Sequence, residues 1–175
     1  PKQLAGFEET DRFVAAEAAR AIHDLPIESL FGELAGRLGR WLGSRDSASE
    51  PLLRRSLNAN FRAGGRDDAL RVLEALVSDK LATSMKREAL SCLLDWDSPG
   101  SRDRVTGAWH PLPSRSSPFL RELVKDRASV LLAKTEGDLQ AAAVELVARH
   151  DVGQVASTLL TWVKDEAKST PARVS

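Results

Sequence analysis

Four segments of this chain repeat one pattern: apolar or small residues at i, i+4, i+7 and i+8. The first is "VAAEAARAI", with Val14, Ala18, Ala21 and Ile22. The second is "LRRSLNANF", with Leu53, Leu57, Asn60 and Phe61. "MKREALSCL" supplies Met85, Ala89, Cys92 and Leu93, and "LQAAAVELV" supplies Leu139, Ala143, Leu146 and Val147. This spacing puts each set on one face of an α-helix, a face that must be buried against something else.

Amphipathic runs lie between the four segments. "IESLFGELAGRLGRWL" aligns Ile27, Leu30, Phe31, Leu34, Leu38, Trp41 and Leu42, with Pro26 suited to its first turn. "RDDALRVLEALV" aligns Ala69, Leu70, Leu73, Leu76 and Val77. "SPFLRELVKDRASVLL" opens on a Ser117 cap and Pro118. "DVGQVASTLLTWV" opens on Asp151 with Gln154 at capping-box spacing. No alternating strand pattern appears. The chain therefore reads as helix pairs, A then B, repeated about four times: an all-α, α-α superhelix of HEAT-like hairpins forming a single domain over 1–175. The alternative is an irregular helical bundle. The A helices start 39, 32 and 54 residues apart, from Val14 to Leu53 to Met85 to Leu139. The first two intervals bracket the period of helical-hairpin repeats. The third is too long, and its excess is an insertion at 97–118.

That insertion, "DSPGSRDRVTGAWHPLPSRSSP", holds four prolines and two glycines. A helix cannot run through "HPLP". A short turn over "SRDRV", ended at Gly107, is compatible with it. Loops of this length in compact domains are functional or disordered, and the flanking tryptophans, Trp96 and Trp109, argue for order. Two readings follow. One is an ordered strap over the end of the core, anchored by Trp109. The other is a docking loop with Arg102, Asp103, Arg104, Trp109 and His110 as candidate contacts, since tryptophan and arginine dominate binding hot spots.

Two features inside the helices stand out. Asn60 takes an inner position and needs hydrogen-bond partners there. A neighbouring backbone near Gly64 and Gly65 would supply them, and a ligand is the alternative. Gly32, Gly36, Gly39 and Gly43 form one stripe of the second helix. The stripe suits the close approach of another backbone, or marks a weak terminal repeat, because each interior glycine costs about 1 kcal/mol.

Several function classes are disfavoured. Apolar residues make up 42 %, charged residues 29 %, and the net charge is zero. This argues against disorder and removes the basic excess expected of a nucleic-acid binder. The single cysteine, Cys92, allows no internal disulfide and reads as a core residue. His23, His110 and His150 lack metal-ligand spacing. Asp103 and His110 form a conceivable acid–base pair, but no Ser or Cys nucleophile is placed by a motif. "RAGGRDD" is a helix-to-helix turn and not a phosphate loop. There is no signal-peptide pattern and no apolar run long enough to span a membrane. The chain starts at Pro1 and not at methionine, and reads as an excised segment or processed product of a larger protein.

"AAEAARAIHDLPI", "LLRRSLNANFRAG", "REALSCLLDW" and "RDRVTGAWHPLP" together resemble the HEAT-like region of large planctomycete-type haem-binding proteins, often labelled membrane-bound dehydrogenases. The resemblance runs from about Phe13 to Pro113. It implies an exported multidomain parent with a dehydrogenase-like β-propeller, a helical repeat region and a C-terminal cytochrome c domain bearing Cys-x-x-Cys-His. This chain has no Cys-x-x-Cys-His, so no haem ligand carries over. Haem c is implied only for the full-length family, and no cofactor is expected in this segment. The resemblance implies a non-enzymatic scaffold between redox domains and an extracytoplasmic address. Its expected partners are neighbouring domains of the parent chain or another protein.

Two other classes stay open. One is a nucleic-acid or nucleobase-binding module using Arg54, Arg55, Arg62, Arg66 and Arg71. The other is a small-molecule-binding helical domain with Asn60 and Trp96 lining a pocket.

Overall fold

A computed structural model describes residues 12–44 and 48–150, together with Ala156. Within them lie seven α-helices: α1 (Arg12–Asp24), α2 (Phe31–Gly43), α3 (Glu50–Ala63), α4 (Arg66–Val77), α5 (Thr83–Leu94), α6 (Pro118–Ala133) and α7 (Gly137–His150). A 3-10 turn at Glu28–Leu30 precedes α2. The only β pairing among the described residues is an isolated bridge between Arg102 and Trp109.

The helices form two layers. α1, α3, α5 and α7 pack side by side as one layer, and α2, α4 and α6 as the other. Consecutive helices also pack across the layers, except α5 and α6, most extensively at the α2–α3 and α4–α5 joints. The chain is all-α, and its helix pairs stack as in an α-α superhelix. The first layer holds the four A segments read from the sequence, and the second holds the B segments. The expected fourth B helix, opening at Asp151, lies outside the described residues.

Burial follows the predicted stripes in three of the four A helices. Leu57, Asn60, Ala89, Cys92, Ala143 and Leu146 have no exposed surface. The main core runs from Leu38 to Val147, and a smaller cluster of Ala19, Ile22, Leu34, Ala35 and Ala59 joins α1 to α2 and α3. α1 departs from the predicted register. Val14 is 41 % exposed, Ala18 and Ala21 are half-buried, and the inner stripe is Ala15, Ala19 and Ile22. α2 also starts later than the apolar pattern predicts. Pro26 lies outside it, because its carbonyl takes the Glu28 amide and Ile27 takes that of Leu30, closing a 3-10 turn first.

The joints use specific polar groups. Gly64, at φ +73°, ends α3, and the Asp68 carboxylate reaches back 3.0 Å to the Gly65 amide to start α4. Lys80 donates to the carbonyls of Trp41, Leu42 and Ser44 at the end of α2, where the helix dipole favours a cation. Asn60 does bond backbone, but not at the Gly64 turn. Its Nδ2 donates to the Ala35 carbonyl of α2 at 2.9 Å and to Ser56 at 2.7 Å, while its Oδ1 accepts from Arg71. Among the described residues no backbone closely approaches the glycine stripe. Gly32 and Gly43 face open space, Gly36 meets the Arg40 side chain, and Gly39 meets that of Arg71.

Candidate functional site

The insertion at 97–118 is an ordered strap across the outer side of the A layer. Its centre is a small hairpin. The Asp103 amide donates to the Ala108 carbonyl at 2.9 Å, and the His110 amide to Ser101 at 3.0 Å. Asp103 Oδ1 closes the turn by accepting from the Val105 amide (2.9 Å), the Thr106 amide (2.8 Å) and the Thr106 hydroxyl (3.1 Å). Gly107, at φ +71°, supplies the left-handed residue that the turn needs. Arg102 Nη1 donates to the Gly107 carbonyl at 2.9 Å.

Three side chains pin the strap to the helices. Asp103 is 6 % exposed. Its Oδ2 accepts from Asn58 Nδ2 at 2.8 Å and lies 3.5 Å from both His23 Nε2 and Arg62 Nη1. Arg62 also donates to the His110 carbonyl at 3.3 Å. Behind them, His23 Nδ1 lies 3.0 Å from Asp24 Oδ1, and Arg55 holds Asp24 through two bonds of 3.0 and 2.7 Å. Asn58 Nδ2 also lies 3.0 Å from His23 Nε2. Both ring nitrogens are thereby spent inside the fold. Burial alone would raise the Asp103 pKa, but the Thr106 amide, His23, the Val105 amide and Asn58 hold it below the usual carboxylate value. Asp24 is lowered likewise, with burial outweighed by Arg55 and His23.

Arg104 is the second pin. It donates to Glu88 and Asp95 at 2.8 Å each and to the Ser91 hydroxyl, and so clasps one side of α5. Arg115 is the third. Its guanidinium donates to the carbonyls of Trp96 (2.6 Å) and Phe61 (2.7 Å) and stacks 4.7 Å from the Trp96 ring and 5.1 Å from that of Phe61. A planar cation over an edge-to-face pair of aromatic rings, with its fork on two carbonyls, ties α3 to the end of α5.

The expected anchor and the actual one are therefore exchanged. Trp96 is fully buried, whereas Trp109 is 71 % exposed. Trp109 does not anchor the strap. Arg102 and Trp109 stand opposite each other on the exposed hairpin, and His110, half-buried, contributes its backbone. Asp103 and Arg104, expected as contacts, point inward as pins. Asp103 meets His23 and not His110. Sequence reasoning missed His23, Asp24, Asn58 and Arg115. The legible signal was the polar stripe Arg55, Asn58, Arg62 at i, i+3, i+7, which marks a second occupied face on α3.

The residues of the two other classes are also placed. Each of the five arginines is paired: Arg54 with Glu50, Arg55 with Asp24, Arg62 with Asp103, Arg66 with Glu122 and Arg71 with Asp68. Asn60 and Trp96 are both fully buried. Burial pushes the Cys92 thiol pKa up, away from the reactive range. Among the described residues no group of three or more His, Cys, Asp or Glu side chains is arranged to hold a metal, and no helix is long and apolar enough to cross a membrane. Compared with known proteins, the chain matches no family model, no curated sequence and no solved structure.

Proposed function

We propose that this chain is a non-catalytic, HEAT-like scaffold module that docks a partner through the outer edge of its strap. The observation that carries this reading is Trp109, exposed on a hairpin whose backbone is fixed on both sides. A large aromatic held rigidly in water exposes apolar area and loses little conformational entropy on binding, the profile of a hot spot. Arg102 completes the contact face, while the His110 backbone, Asp103, Arg104 and Arg115 hold it in place. The partner is a neighbouring domain of a larger chain or a separate protein. The resemblance supplies a setting for this: a spacer between a dehydrogenase-like propeller and a cytochrome c domain in an exported redox protein. No cofactor is assigned to this segment.

The test is site-specific photo-crosslinking in the full chain, with the crosslinker placed at 109 and, as a control, at exposed Asp67. Crosslinks from 109 should converge on one discrete surface, with no such convergence from 67. Equal or diffuse crosslinking from the two positions overturns the docking role.

A further inference from the structure

Three groups close on one oxygen of the strap. Asp103 Oδ2 accepts from Asn58 Nδ2 at 2.8 Å, and His23 Nε2 and Arg62 Nη1 each stand 3.5 Å from it. All three belong to helices, His23 to α1 and Asn58 and Arg62 to α3. His23 and Asn58 are buried, and the Arg62 side chain is 8 % exposed. The helices hold these groups largely without the strap. Phe31, at the start of α2, meets the His23 ring edge-on at 5.9 Å and lies 5.8 Å from the Arg62 guanidinium. Asp24, bonded by Arg55, holds the far ring nitrogen of His23 at 3.0 Å. The strap backbone adds one bond to Arg62, at the His110 carbonyl. Asp24 and Arg55 cancel in charge, so the cradle keeps the cation of Arg62, partly offset by Glu28. A guanidinium and an amide N–H converging on one buried point suit a carboxylate.

We propose that His23, Asn58 and Arg62 form a carboxylate-binding site on the helices, and that Asp103 is its tethered ligand. The strap is then a plug for a site that α1 and α3 build by themselves. Asp103 divides its two oxygens accordingly. Oδ1 serves the hairpin's own turn, and Oδ2 alone enters the site. A carboxylate presented in trans reaches the same donors once the hairpin lifts. The site is distinct from the Trp109 edge, so its failure leaves the docking role standing.

Chemical rescue of Asp103→Ala tests this. The substitution removes the carboxylate and leaves room for formate, which has the same shape. Thermal melts are run in sodium formate and in sodium chloride at equal ionic strength. Formate at about ten times its Kd favours the folded state about tenfold, so the Tm of Asp103→Ala should rise by about 4 °C over its value in chloride. Wild type has its site filled, and in Asp103→Asn the amide fills the same space. Each should differ between the two salts by less than about 1 °C. The response should also vanish in Asp103→Ala combined with Arg62→Gln, which lacks the cation. If Asp103→Ala is unfolded in chloride, formate should restore its helical circular dichroism. A formate effect on Asp103→Ala no larger than that on wild type, or one that persists without Arg62, overturns the proposal. So does an unfolded Asp103→Ala chain that formate fails to recover.

Discussion

Truncating Asp103 to alanine removes the acceptor on which the strap converges. Its Oδ1 takes three bonds from the turn, and its Oδ2 takes the Asn58 bond beside His23 and Arg62. The group is nearly fully buried, so the partners left behind do not regain water. Breaking one side of a buried ion pair costs about 3–5 kcal/mol. Arg62 keeps its bond to the His110 carbonyl, which offsets part of this. We expect Asp103→Ala to destabilise the chain by about 3 kcal/mol. Asp103→Asn keeps the shape and an acceptor oxygen but loses the charge. Hydrogen bonds to charged groups exceed neutral ones by about 1 kcal/mol each, and the new NH2 faces the Asn58 donor, so a loss of about 3 kcal/mol, comparable to that of Asp103→Ala, is expected. Trp109→Ala, on exposed surface, should change stability by no more than about 0.5 kcal/mol. Urea unfolding of the three variants reads these values as midpoint shifts at constant slope. An Asp103→Ala chain within about 1 kcal/mol of wild type, or a Trp109→Ala chain less stable than it, would refute the assignment of the anchor.

Other expectations follow from the same contacts. Asp103 and Asp24 both have folded pKa values below the unfolded carboxylate value, so the unfolded state binds more protons as pH falls. Their contribution is fully present above about pH 4 and is lost as pH drops through the folded values. Urea midpoints from pH 6 to pH 2 should fall along this course, and Asp103→Asn should flatten it. Gly64→Ala and Gly107→Ala should separate in thermal melts. Both sit at positive φ, but a Cβ at Gly64 would lie 2.2 Å from Arg115 Nη1, whereas Gly107 faces open space. We expect about 1 kcal/mol for Gly107 and at least about 2 kcal/mol for Gly64, where Arg115 must also move. Trp96→Ala should cost about 3–5 kcal/mol. Trp96→Phe should cost less than half of that in the same urea assay, because the buried indole N–H has no hydrogen-bond partner to lose.

Helix alternation and the position of the strap were legible because each rests on local chemistry. Leucines at i, i+4 and i+7 declare a face, and "HPLP" forbids a helix. The register of α1 was not legible for a physical reason. "VAAEAARAI" has small residues on adjacent faces, so its periodicity does not separate Val14 from Ala15. The choice between the tryptophans was partly legible. Trp96 follows Leu93 by three residues and so extends the buried stripe of α5, whereas Trp109 belongs to no periodic segment. The pins were beyond local reading. Asp103 meets His23 across 80 positions of chain and Arg115 meets Phe61 across 54, and no spacing rule links such pairs. What the sequence did carry was the polar stripe on α3, a surface too rich in hydrogen-bonding groups to be plain solvent face.

The claim that a rigid, polar-pinned strap displays Trp109 is tested most directly by amide hydrogen exchange. The amides of Asp103, Gly107, His110 and Arg115 all donate to backbone carbonyls within the strap. They should exchange with protection comparable to that of α3 and α5 in the wild type, and unchanged in Trp109→Ala. Exchange of these four amides at free-peptide rates, or loss of their protection on removing Trp109, would contradict the account.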